Sequence, residues 1–191
     1  MKKTLIALAA LASLGMATSA TAADKLGQGS FQWAGTVPTI SSGDGFFIVP
    51  AGSTTDLNGG ILTFSNKLGK VELNGSTELS FKVVKDAVAG DAYDPSVDKT
   101  PLTYKGTLTN IKVGVNSLLA EQANNGYFAI AADGSVMDIN DADAINKDVA
   151  VNNVTHLTVK KNTKLGAAAS GLNGGDNVVV QALVAITADV I

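Results

Sequence analysis

The chain has no cysteine, and all 14 of its basic residues are lysine. Without cysteine there is no disulfide, no thiol nucleophile and no thiolate metal centre. Without arginine the chain lacks the planar, bidentate group that reads phosphates and base edges. Its net charge of −3 also argues against a nucleic-acid partner. Histidine is nearly absent: His156 stands alone in Val154–Val159 (VTHLTV), with no Gly-x-Ser-x-Gly turn anywhere to supply a nucleophile. There is a single tryptophan, Trp33, so little surface exists for stacking sugars. Carboxylate pairs occur at Asp91 and Asp94 and at Asp141 and Asp143, but nothing in the sequence sets either pair in a pocket. The run Asp138-Ile-Asn140-Asp141-Ala-Asp143 concentrates oxygen ligands, yet lacks the sixth-position glycine and twelfth-position glutamate of a calcium-binding EF-hand loop. No enzyme, no metal and no cofactor is expected.

What the sequence does have begins at its N-terminus. Lys2 and Lys3 precede an apolar stretch from Leu5 to Ala12, and Ala20-Thr21-Ala22 supplies small residues for cleavage. Residues 1–22 thus read as a secretory signal, cut after Ala22 or one residue later after Ala23. The apolar stretch is too short to span a bilayer. Removing Lys2 and Lys3 leaves 12 lysines against 17 acids, a net −5 on 169 residues. That length suits one domain able to build a core without staples.

The remainder alternates apolar and polar residues with a period of two, the signature of strands. Short runs appear at Phe46–Val49, stopped by Pro50, at Ile61–Phe64, and at Val71–Leu73 before a turn signal, Asn74-Gly75. Leu79, Phe81 and Val83 share a face. Residues 86–101 read as a long loop, and residues 102–115 as a strand whose apolar parity slips between Leu108 and Ile111, as a β-bulge would make it. The spacing predicts one short helix over residues 116–125 (NSLLAEQANN). After it come a strand at 127–131, an acidic loop at 133–148, a bent strand or two at 149–161, and a Gly- and Ala-rich connection at 166–176. The final stretch, 178–191, puts Val178, Val180, Ala182, Val184, Ile186, Ala188 and Val190 on one face. Nine or so short strands with one helix indicate an all-β sandwich.

Residues 26–37 (LGQGSFQWAGTV) form a second alternating segment, just behind the cleavage site. On pattern alone this is either the first strand of a self-contained sandwich or a strand made to enter another protein. The segment resembles the N-terminus of mature chaperone–usher fimbrial pilins, where an extension of the form Gly-x-Val-x-Phe-x-Gly-x-Val follows the signal. Gly29 matches the family's small pocket residue, Phe31 and Trp33 its large apolar plugs, and Gly35 the glycine before the first pilin strand. The terminal strand is similar to the family's last strand, whose edge the periplasmic chaperone pairs with. That likeness implies a chaperone-facing role for Val180, Ala182, Val184, Ile186 and Ile191. Two features depart from the family: there is no disulfide, and Asp189 stands where many members have tyrosine.

The resemblance implies an organisation of signal peptide (1–22), donor-strand extension (23–37) and pilin domain (38–191). It implies an immunoglobulin-like sandwich that lacks one strand and is completed by a neighbouring subunit's extension. The implied function is that of a structural subunit of an adhesive surface fimbria, exported to the periplasm and polymerised by donor-strand exchange. The implied partners are other copies of the chain, a periplasmic chaperone, an outer-membrane usher and a host-cell receptor. Loops 86–101 and 133–148 are the surfaces expected to meet a receptor. The alternative is a monomeric secreted or periplasmic β-sandwich binding module for carbohydrate or a host surface.

Overall fold

The structure, a computed structural model, describes residues 41–189 apart from 44, 117, 118 and 152. The described residues form twelve strands joined by loops, with no helix among them. The largest sheet has six strands: β1 (Ser41–Gly43), β2 (Phe46–Pro50), β5 (Leu79–Lys85), β11 (Val154–Lys161), β8 (Phe128–Ala132) and β9 (Ser135–Val136), in that spatial order. A second sheet is built on the long β6 (Tyr104–Val115). One edge of β6 pairs with β12 (Val178–Ala188) along its whole length; β10 (Ile145–Lys147) and β7 (Ala120–Glu121) also pair with it. β3 (Leu62–Lys67) and β4 (Lys70–Ser76) make a separate hairpin. Every ladder is antiparallel.

The two larger sheets share one core. Phe81, Val83, Ile130 and Ala132 come from the first, and Tyr104, Leu108, Ile111 and Ile145 from the second. The Tyr104 hydroxyl crosses between them, donating to the Asn153 carbonyl at 3.0 Å and pairing with the fully buried Thr155 hydroxyl at 2.7 Å. A second cluster (Val71, Leu73, Tyr127, Phe128 and Leu172) fixes the hairpin to the sheets. There the Tyr127 hydroxyl accepts the Leu73 N–H at 2.8 Å. This all-β, antiparallel arrangement around a shared core is that of a β-sandwich.

Several expectations hold. The bulge lies where the parity slips: Leu183 pairs with Asn110 and Val184 with Leu108, so Thr109 is the extra residue. Its hydroxyl donates to the Leu183 carbonyl at 3.0 Å. Loop 86–101 carries no named strand, but it is folded back on the sheet. Asp98, 3% exposed, accepts the N–H groups of Ala87 and Asp94, both at 2.8 Å, and Tyr93 packs edge-on against Phe47.

Others are corrected. The helix expected at 116–125 is absent from its described part, where β7 pairs with β6. The reason is Gln122, whose side-chain amide donates to the Phe128 carbonyl at 2.7 Å and accepts the Phe128 N–H at 3.1 Å. These contacts give the segment a sheet-like partner, which outweighs the marginal stability of so short a helix. Asn74-Gly75 is a bulge inside β4 rather than a turn, since Thr63 pairs with Gly75 and Phe64 with Leu73. The hairpin turns instead at Leu68-Gly69, both at positive φ (53° and 81°). That pair of left-handed residues matches the twist of the flanking strands. Loop 133–148 contains β9 and β10, and β11 starts at Val154 rather than 149. The last strand stops at Ala188, where the Asp189 N–H turns to the Thr103 carbonyl at 3.0 Å.

Candidate functional site

β12 ends its sheet: one edge is laddered to β6, and no described strand pairs with the other. A clamp fixes where the strand begins. The Asn116 N–H donates to the Asn177 carbonyl at 2.8 Å, and its side-chain oxygen accepts the Asn177 N–H at 2.7 Å. The Asn116 amide nitrogen reaches the Asp176 carboxylate at 2.6 Å, and the other Asp176 oxygen accepts the Asn173 N–H at 2.7 Å. The Asn173 backbone donor first, then the Asn116 amide, holds the Asp176 carboxyl below its usual pKa.

From that start the side chains alternate strictly for eleven residues. The even-numbered positions are half-buried and the odd ones exposed, Leu183 as much as 63%. Val180, Ala182, Val184 and Ile186 all lie on the half-buried face and pack against the shared core, as does Ala188. None of them is fully buried. Val180, Ala182, Val184 and Ile186 of this row are among the residues for which the family resemblance implies a chaperone-facing role.

Beside the first half of β12 lies a groove of about 510 Å³. Together with β12 it is lined by Leu62, Leu79, Ile130, Leu157 and Val159. Among the described residues no charged side chain lines it. Two of its polar groups are engaged: the Ser76 hydroxyl accepts the Val159 N–H at 2.8 Å, and the Thr77 hydroxyl accepts the Ile61 N–H at 3.2 Å, while Asn58, Thr158 and Gln181 also border the space. Past Val178 a smaller cavity of about 240 Å³ continues between β3 and the loop leading to β12, lined by Phe64, Val71 and Leu172 with Asn66 and Asp176 at its mouth. An uncharged, apolar trough beside a strand end is chemically suited to an extended peptide segment. Backbone pairing would supply affinity there, and alternate side chains would supply fit.

Gly29, Phe31, Trp33, Gly35 and Ile191 lie outside the described residues. His156 is on the half-exposed outer side of β11, where its Nδ1 lies 2.9 Å from the Glu78 carboxylate and 2.9 Å from the Ser80 hydroxyl. Both partners share one ring nitrogen and Ser80 is buried. This triangle ties β5 to β11 and differs from a nucleophilic triad, in which serine and carboxylate bind opposite ring nitrogens. The acidic run is spent on local structure: Asp141 accepts the Asp143 N–H, Asp143 pairs with Lys105, and Asp138 pairs with Lys164.

The groove walls at 57–62 and 76–79 were not legible from sequence, because nothing in their composition says that β3 begins beside β12. The available signal was the excess of apolar residues along β12 itself. In comparisons with protein-family models and with curated proteins, the chain matches none.

Proposed function

We propose that the chain is a structural subunit of an adhesive surface fimbria, assembled by donor-strand exchange after export. In this reading residues 23–37 of one copy complete the immunoglobulin-like sandwich of the next, and no chemistry is catalysed. One observation supports it above the others: an eleven-residue, largely apolar strand with one edge that no described strand pairs with, bordered by a groove of about 510 Å³ that no described charged side chain lines.

The dimensions support it as well. Residues 26–37 extend to about 40 Å and the strand to about 36 Å, at roughly 3.3 Å per residue. An exposed, flat apolar edge of this length is a liability in a free monomer and invites strand pairing. The same property serves a subunit that is capped by a chaperone until it meets its neighbour. Because the extension of one copy would meet the groove of the next, two different surfaces are joined; such a contact is heterologous and generates a filament.

The test is a gel of material sheared from exporting cells, run unboiled and boiled. A high-mass ladder that collapses to one band near the mature mass is the expected result. A single monomer band in both lanes overturns the reading in favour of a monomeric binding module.

A further inference from the structure

Resting on that reading, we propose a specific register. The extension of one copy lies antiparallel to β12 of the next, with Trp33 opposite Val180 and Phe31 opposite Ala182. Ala182 is then the residue that selects which strand is accepted.

The argument is one of size. The inward row of β12 reads Val178, Val180, Ala182, Val184, Ile186, Ala188. In the part that borders the groove, 178–182, Ala182 is the only inward side chain without a branch, and the open volume lies alongside it. Toward the other end the space is closed. A Cβ added to Gly106 would come within 3.0 Å of both Ile145 and Ile186, so those side chains already fill the interior there.

The extension has the complementary profile. Its alternate residues read Gly27, Gly29, Phe31, Trp33, Gly35, with bulk in the middle and glycine on both sides. In the proposed register both rings enter the 510 Å³ groove, while Gly29 meets Val184 and Gly27 meets Ile186. Sliding the extension two residues toward Ala188 moves Phe31 out of the groove onto Val184 and leaves Gly35 to face Val180. Sliding it two residues the other way puts Trp33 against Val178, Gly35 beyond the strand and Gly29 over Ala182. The antiparallel sense follows the rest of the molecule, in which every ladder is antiparallel. Antiparallel pairing is also the more stable per residue.

The outward pairs of this register are Gln32 with Gln181, Ser30 with Leu183, and Ala34 with Val179. The full chain contains no cysteine, so an introduced pair is the only disulfide it can form. The Gln32→Cys/Gln181→Cys chain is compared with Gln32→Cys/Leu183→Cys and Gln32→Cys/Val179→Cys. A two-residue slip moves Cα by about 6.6 Å along the strand, which takes the pair out of disulfide reach. The expected result is a ladder that survives boiling without reductant for the 32/181 pair alone. A covalent ladder from a slipped pair only, or from none of them while the unboiled ladder persists, overturns the register and leaves the fimbrial reading standing. A cross-linked monomer overturns the second copy as occupant. No unboiled ladder from the parent chain overturns both.

Ala182→Leu supplies the second test. It should leave the subunit folded by circular dichroism yet abolish the unboiled ladder, and adding Phe31→Ala to the same chain should restore it. A ladder from Ala182→Leu equal to the parent's overturns the selecting role of Ala182.

Discussion

Phe128–Ala132 and Val178–Ala188 are both apolar strands, yet all five residues of β8 are buried and none of the eleven in β12 is. β8 has β11 on one edge and β9 on the other, and its Phe128 stacks edge-on with Phe64 and Tyr127. Among the described residues β12 has a ladder on one edge only. Hydrophobicity is similar in the two, so the difference is made by neighbours. An apolar strand at the end of a sheet keeps much of its possible burial in reserve, its side chains still open to water. At roughly 25 cal/mol for each Å² of apolar surface removed from water, that reserve is a driving force for association.

The largest effect that would break this comparison lies in the extension. Phe31→Ala and Trp33→Ala should each lower subunit–subunit stability by about 3–5 kcal/mol. The check is the denaturant concentration at which the sheared ladder dissociates. Unchanged dissociation in both variants would mean that β12 is completed by something other than residues 23–37.

Next comes the interior against the edge. Leu108 is fully buried in the shared core. Leu108→Ala should therefore cost about 2–5 kcal/mol of subunit unfolding free energy. Val180→Ala, at a half-buried position, should cost about 1 kcal/mol or less in the isolated subunit. In the proposed fibre the Val180 effect should grow, because a donor strand would complete its burial. Urea titrations of the subunit and of the fibre, run side by side, give both numbers. A Val180→Ala cost that is equal in both states would place β12 on the same footing as β8.

The sequence was informative where a signal is local and poor where it depends on another segment. The bulge at Thr109 was legible because a parity slip between Leu108 and Ile111 can be read along one strand. The alternation of β12 was legible for the same reason. The helix expected at 116–125 failed because Gln122 is held by the backbone of Phe128, a contact invisible in a window of ten residues. Asn74-Gly75 looked like a turn because it is the strongest hairpin dipeptide, but its pairing with Thr63 makes it a bulge, and Leu68-Gly69 took the turn instead. The groove itself was beyond reach, since its walls come from segments about a hundred residues apart. What pointed to it was the long run of alternating apolar residues along β12.

A smaller effect tests the link between the sheets. Burial pushes the Tyr104 hydroxyl up to about 12, with the Thr155 hydrogen bond opposing and the Asp133 charge adding to the rise. A raised folded-state pKa means that the stabilisation is complete below the ordinary value of 10 and declines as pH climbs from 10 through 12. Tyr104→Phe removes this alkaline decline and leaves the Thr155 hydroxyl without its partner, at a cost of about 1–2 kcal/mol near neutral pH. Unfolding curves of both chains at neutral pH and above pH 10 decide it. If the two lose stability in parallel as pH rises, Tyr104 does not carry the alkaline sensitivity.

The least effect is expected at the surface, where β4 meets β11. Lys161 and Lys70 both reach the Glu72 carboxylate, at 3.0 and 3.1 Å, and hold its pKa below the ordinary 4.5. A depressed carboxyl contributes stability above its unfolded value and loses it as pH falls through the folded one. Glu72→Gln should therefore matter slightly at neutral pH and not at all in strong acid. The group is solvent-exposed, so half-molar salt should erase even the neutral-pH difference. A Glu72→Gln defect that survives high salt would mean that the β3–β4 hairpin is held to β11 by this triad. As the structure stands, the buried cluster of Val71, Leu73, Tyr127 and Phe128 does that work, with the charges arranged above it.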